Sequence, residues 1–89
     1  MTESYKIAWK ASAKKELRKI EKSLIPTLLE SIESLASNPF PHGYKKLVGS
    51  DHLYRIRIGR YRIIYEIEDG QMIIVIVRVR HRKNVYENI

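Results

Sequence analysis

Between residues 53 and 86 the chain reads LYRIRIGRYRIIYEIEDGQMIIVIVRVRHRKNVY, with arginines spaced two apart among aliphatic residues. Two is the side-chain period of an extended strand, so Arg55 with Arg57, and Arg78 with Arg80, each project from one face while their apolar neighbours take the other. Arg62 lies between the two runs. Guanidinium groups are costly to bury and repel one another, so several on one sheet face make sense mainly if something negative docks there. The pattern predicts strands over 53–58, 61–68 and 72–80. Gly59 and Arg60 form one tight turn, and Asp69 and Gly70, a strong hairpin dipeptide, form the next.

The apolar face of this meander is expected to hold Tyr54, Ile56, Ile58, Tyr61, Ile63, Tyr65 and Ile67, with Ile73, Val75, Val77 and Val79 beside them. The other parity carries Arg55, Arg57, Arg62, Ile64, Glu66, Ile74, Ile76, Arg78 and Arg80, with Arg82 beyond. Its cations gather toward the Gly59 end as a concave basic patch.

The first half is different in kind. Residues 5–9 alternate as a short amphipathic strand, and Ser12 then looks like a helix cap. Leu17, Ile20, Leu24, Leu28, Ile32 and Leu35 recur at threes and fours, an apolar helical stripe backed by lysines and glutamates. Pro26 interrupts it, so two helices are expected, over 12–21 and 25–37, forming a hairpin that ends at Asn38 and Pro39. A further short strand is expected over 44–47. The expected fold is α+β: a small antiparallel sheet of four or five strands, with the N-terminal strand, and the helix hairpin packed on one face.

Eighty-nine residues make one domain, 1–89, which buries only about 60 to 65% of the surface its unfolded form exposes. Cysteine is absent, so neither disulfides nor thiolate metal sites supplement the core. No export signal is visible, and the longest uncharged apolar run, 72–77, is far below the roughly 20 residues of a membrane helix. A soluble, cytoplasmic protein without membrane contact is expected. The net charge is +7. Lysines dominate the first half and arginines the second, and arginine's planar fork suits bidentate phosphate contacts. Lys14, Lys15, Lys19 and Lys22 read most simply as the wet face of a helix.

The segment LYRIRIGRYRIIYEIEDG, followed by VRVRHRKNVY, resembles the RelE/ParE superfamily of toxins from bacterial toxin–antitoxin pairs, the RelE branch above all. The likeness covers nearly the whole chain. It implies the RelE-like microbial RNase fold and cleavage of messenger RNA in the ribosomal A site, with no metal and no cofactor. It also implies an acidic cognate antitoxin of RelB type, held in a hetero-oligomer, with messenger RNA and the ribosome as further partners. By that resemblance Arg55 and Arg57 fall where RelE-type enzymes carry two basic residues, Arg62 matches the arginine of the central strand, Arg82 the one after the last strand, and Tyr86 the C-terminal tyrosine.

Two departures matter. The best-known members have lysines at the paired basic positions, one of which can act as general base, and arginine cannot give up its proton there. Arg60 stands where relatives of this subtype often have aspartate. Arg62 and Arg82 are therefore expected to stabilise the extra charge of a phosphorane, and Arg55, Arg57, Arg60, Arg78 and Arg80 to hold phosphate. The proton steps pass to His81, as base, and to Tyr86, as hydrogen-bond donor or stacking platform. Glu66 is a remoter candidate whose simplest role is to partner a cross-strand arginine. Two other functions share these features: a ParE-like inhibitor of DNA gyrase without nuclease chemistry, and a nucleic-acid-binding regulator with no activity.

Overall fold

The computed structural model describes residues 4–85. In chain order its elements are β1 (Lys6–Trp9), α1 (Ala11–Arg18), a 3₁₀ turn (Lys22–Leu24), α2 (Ile25–Ser34), β2 (Lys45–Lys46), β3 (Leu53–Ile58), β4 (Tyr61–Glu68), a second 3₁₀ turn (Asp69–Gln71) and β5 (Ile73–His81). They build one five-stranded sheet in the order β1-β5-β4-β3-β2. Every neighbouring pair is antiparallel except β1 with β5, which run parallel. That parallel pair requires a crossover, and α1, α2 and the strands after them supply it.

The helices form for the reasons the stripe suggests. Pro26 sits in the first turn of α2, where its missing N–H leaves no bond unmade. Leu28, Ile32 and Leu35 from that stripe are buried against the sheet. Ser12 does not cap α1: the cap is Lys10, which makes no side-chain cap bond, and Ser12 lies one residue inside the helix. The second helix ends at Ser34, and its last residues continue only as turns to Ser37. No helix among the described residues is long and apolar enough to cross a membrane.

The hairpin between β4 and β5 also differs from expectation. Asp69 and Gly70 do not make a two-residue turn. The chain takes a single 3₁₀ turn, and the left-handed residue is Met72 at φ 55°. Met72 is held there from both sides, its N–H donating to the Asp69 carbonyl (3.2 Å) and its carbonyl accepting from the Lys6 N–H (2.8 Å). Tyr5 adds a hydrogen bond from its hydroxyl to Asp69 Oδ1 (2.6 Å), fastening β1 to the same turn.

The largest correction concerns β5. Tyr65 pairs with Ile76 and Ile64 with Arg78, which leaves Val77 as an extra residue in a β-bulge. The bulge flips the parity of the strand. Ile74 and Ile76 face the helices and are fully buried there with Val79, whereas Ile73, Val75 and Val77, expected in that core, are only half-buried. A regular strand that buried Ile74 and Ile76 would have carried Arg78 and Arg80 into the core as well. With the bulge, both arginines emerge on the face away from the helices.

That face has a small apolar patch of its own. Ile64 and Val85 are fully buried yet stand apart from the helix-side cluster. Past β5 the chain turns through Lys83 and Asn84, and an Arg78 guanidinium nitrogen donates to the Val85 carbonyl at 2.7 Å. Arg78 lies directly opposite Ile64, so this bond brings the chain after β5 back toward the same row of the sheet.

Candidate nucleic-acid interface

Cross-strand partners share a face. Arg57 on β3 is opposite Arg62 on β4, which is opposite Arg80 on β5, so three guanidinium side chains form a row across adjacent strands. The next row along the sheet is Arg55, Ile64 and Arg78. At the Gly59 end the Arg82 N–H donates to the Arg60 carbonyl at 2.8 Å, which ties the end of β5 to the turn between β3 and β4. Gly59 takes φ 59° in that turn, a conformation glycine adopts without steric penalty. The structure thus brings Arg57, Arg62 and Arg80 together on one face, with Arg82 tied by its backbone to the turn at the end of that row, whereas Arg60 lines a cleft with Leu24, Thr27, Leu28 and Tyr61 on the helix-bearing side.

The arginines are held differently. An Arg62 guanidinium nitrogen donates to the Gly59 and Tyr61 carbonyls, both at 3.1 Å, which sets the group over the turn. Arg80 forms an ion pair through Nε with Glu16 of α1, and the second Glu16 oxygen accepts the Val79 N–H at 3.0 Å. β1 pairs with β5 only as far as Ile76, and Glu16 takes over the edge beyond it. Nothing in the alternation of the strands pointed to Glu16, because it lies on a helix 64 residues away in sequence. Arg57, Arg60 and Arg82 are exposed, whereas Arg55 is only 4% exposed and lies within the sheet surface.

His81 is placed elsewhere. It pairs with Tyr61, whose ring meets the imidazole edge-on at 5.8 Å, and Tyr61 packs on the helix-side core. His81 therefore turns to the helix-bearing side, the opposite face from the arginine row. There it borders a cleft of about 520 Å³ shared with Lys15 and Lys19 of α1, Tyr61 and Asn84, which the Arg80–Glu16 pair at the sheet edge also lines. Its Nδ1 accepts the Lys83 N–H at 3.3 Å, so Nε2 is the nitrogen that remains for other partners. Tyr86 lies outside the described residues. His42 lies in a turn, and His52 stands 3.9 Å from Glu66. Among the described residues no three histidine or acidic side chains come together to hold a metal ion.

Similarity to known proteins follows the same outline. The family described as the ParE toxin of type II toxin–antitoxin systems, parDE, matches residues 7–86. A RelE toxin of Methanocaldococcus jannaschii is 36% identical over 77 residues, covering 83% of this chain and 86% of that protein. The RelBE toxin–antitoxin complex of Mycobacterium tuberculosis contains a chain that superposes with a TM-score of 0.79 at 27% identity, over 89% of this chain and 99% of that one. The archaeal RelE–RelB complex of Pyrococcus horikoshii gives 0.77 at 30% identity, over 92% and 97%. With the family match running from the first strand to beyond the last, the chain belongs to the RelE/ParE superfamily of toxins of type II toxin–antitoxin systems.

Proposed function

We propose that the chain is an endoribonuclease toxin that cuts messenger RNA in the ribosomal A site, without a metal, by attack of a ribose 2′-hydroxyl on the adjacent phosphorus. The observation that carries this reading is the row Arg57, Arg62 and Arg80, with Arg82 tied to the turn at its end. Like charges set opposite one another weaken a free sheet. A phosphorane, with one more negative charge than the phosphodiester it forms from, is a ligand that offsets that repulsion.

In this mechanism the O2′–P bond forms and the P–O5′ bond breaks, leaving a 2′,3′-cyclic phosphate and a 5′-hydroxyl. Arg62 and Arg82 stabilise the developing charge. Arg57, Arg78 and Arg80 hold flanking phosphates, and Arg55 lends its charge from within the sheet. His81 faces the helix-bearing side and does not reach a phosphate on this row, so the 2′-hydroxyl proton passes to water, and Tyr86 donates toward the departing oxygen. The same face receives an acidic RelB-like antitoxin in a hetero-oligomer, the form taken by the two solved complexes described above. Action on ribosomes would place the protein in the cytoplasm.

The test is cleavage of ribosome-bound messenger by purified protein. Arg62→Ala is expected to lower the rate about 100- to 1000-fold, the usual loss for one preorganised donor. Messenger left intact by the wild type, or cut equally well by Arg62→Ala, would sink the proposal. The family match to ParE toxins keeps one other reading in play, inhibition of DNA gyrase. A supercoiling assay separates the two, because the nuclease leaves gyrase activity unchanged.

A further inference from the structure

Glu66 does not partner a cross-strand arginine. Its neighbours across the sheet are Leu53 on β3 and Val75 on β5, both apolar. Its side chain is 25% exposed, and its partner is His52 Nε2 at 3.9 Å, an ion-pair separation beyond hydrogen-bonding distance. No hydrogen bond to this carboxylate occurs among the described residues. The His52 backbone is pinned beside it: its carbonyl accepts the Ile67 N–H at 3.3 Å, and its N–H donates to Ser50 Oγ at 3.3 Å.

Glu66 and His52 line a cleft of about 410 Å³ on the arginine-bearing face, with Leu53 and Val77 as apolar walls and Lys10 at the margin. Val77 is the bulged residue, so the irregularity that turns Arg78 and Arg80 outward also shapes this cleft. The other carboxylate there, Glu16, is already engaged by Val79 and Arg80. Glu66, with only the His52 imidazole facing it at ion-pair distance and no hydrogen bond among the described residues, keeps acceptor capacity in a wall of mixed apolar and cationic character.

We infer that this cleft is a nucleobase subsite in which the Glu66 carboxylate reads a base edge bearing two adjacent N–H donors. Among the four RNA bases only guanine has such an edge, in N1–H and the 2-amino group. A carboxylate accepts both at once, while adenine, cytosine and uracil each satisfy only one oxygen. Leu53 and Val77 flank the flat faces of the base, and Lys10 is placed for a neighbouring phosphate. Glu66 and Arg62 lie on one strand, four residues apart, so the base read is about 13 Å from the arginine row at ~3.3 Å per residue. It belongs to a nucleotide outside the scissile pair. This inference deepens the RNA-cleavage reading and rests on it for its substrate, but its test needs no cleavage.

The test is fluorescence anisotropy of the purified chain at low salt with uridine hexamers carrying one central guanosine, adenosine or inosine. The wild type is expected to bind the guanosine hexamer at least about fivefold more tightly than the adenosine one. Inosine, which lacks the 2-amino group, should fall between them. Glu66→Gln, close in shape, and Glu66→Ala should bind all three within about twofold. Equal wild-type affinities, a guanosine preference that survives Glu66→Ala, or no binding to any hexamer would overturn the inference. Failure of messenger cleavage alone, with this preference intact, would instead count against the nuclease mechanism.

Discussion

Among the described residues Tyr65 is the largest fully buried side chain, its ring stacked on Tyr54 with centroids 5.9 Å apart and its hydroxyl donating to the Pro39 carbonyl at 2.6 Å. Burial, reinforced by the neighbouring phenols of Tyr44 and Tyr54, pushes its pKa well above the usual phenol range. A pKa raised on folding contributes stability that is complete below the unfolded value of 10.0 and is lost as pH climbs through the raised one. Urea melts from pH 8 to 11 should therefore show falling stability above about pH 10, beyond what lysine deprotonation causes. Tyr65→Phe should weaken that fall and, by leaving the Pro39 carbonyl without its donor, cost about 1 kcal/mol at neutral pH. The place of Tyr65 in the core was legible from alternation alone, but its bond to Pro39 was not, since the two residues are 26 apart in sequence. Arg55 carries the converse lesson. Its parity was right and its exposure was not, because period two assigns a face and says nothing of what lies over it.

At the scale of elements, the bulge in β5 decides most. The segment IIVIVRVR alternates without a break in either parity, so sequence favoured Ile73, Val75 and Val77 for the core. The structure buries the other pair, Ile74 and Ile76, and spends one residue to recover the outward arginines. Deleting Val77 would restore a regular ladder and force a choice between two losses. If Ile74 and Ile76 turn outward, about 1.5–3 kcal/mol each is forfeited, against a total stability of roughly 5–15 kcal/mol. If Arg78 and Arg80 turn inward, two charges enter the core. The expected outcome is a chain with no cooperative urea transition by circular dichroism, whereas Val77→Ala, which keeps the backbone count, should still fold. β3 and β4 were legible to the residue, because each keeps one parity throughout and their connecting turn has its glycine where positive φ is needed.

Over the whole molecule, charge is the governing quantity. A net +7 sits on a body of 36 × 30 × 25 Å. The screening length is about 30 Å at 10 mM salt and about 8 Å at 150 mM, so repulsion crosses the molecule in the first condition and only neighbouring groups in the second. The free chain should accordingly show a higher urea midpoint at 150 mM than at 10 mM sodium chloride. Binding to single-stranded RNA should move the opposite way. If Arg57, Arg62 and Arg80 each meet one phosphate, the logarithm of the association constant should fall with the logarithm of salt at a slope of about −2. A flat salt dependence would remove the row from the interface. By itself the sequence determined the class of fold, the three long strands, the two helices and the shared face of the arginines, because local periodicity and turn chemistry are written in neighbouring residues. Only the tertiary structure decided that a bulge re-aims β5, that Glu16 closes its edge and holds Arg80, that Arg78 holds the Val85 carbonyl, and that His81 faces away from the arginine row. Each of these depends on register or on contact between residues distant in the chain, and no local pattern encodes such pairing.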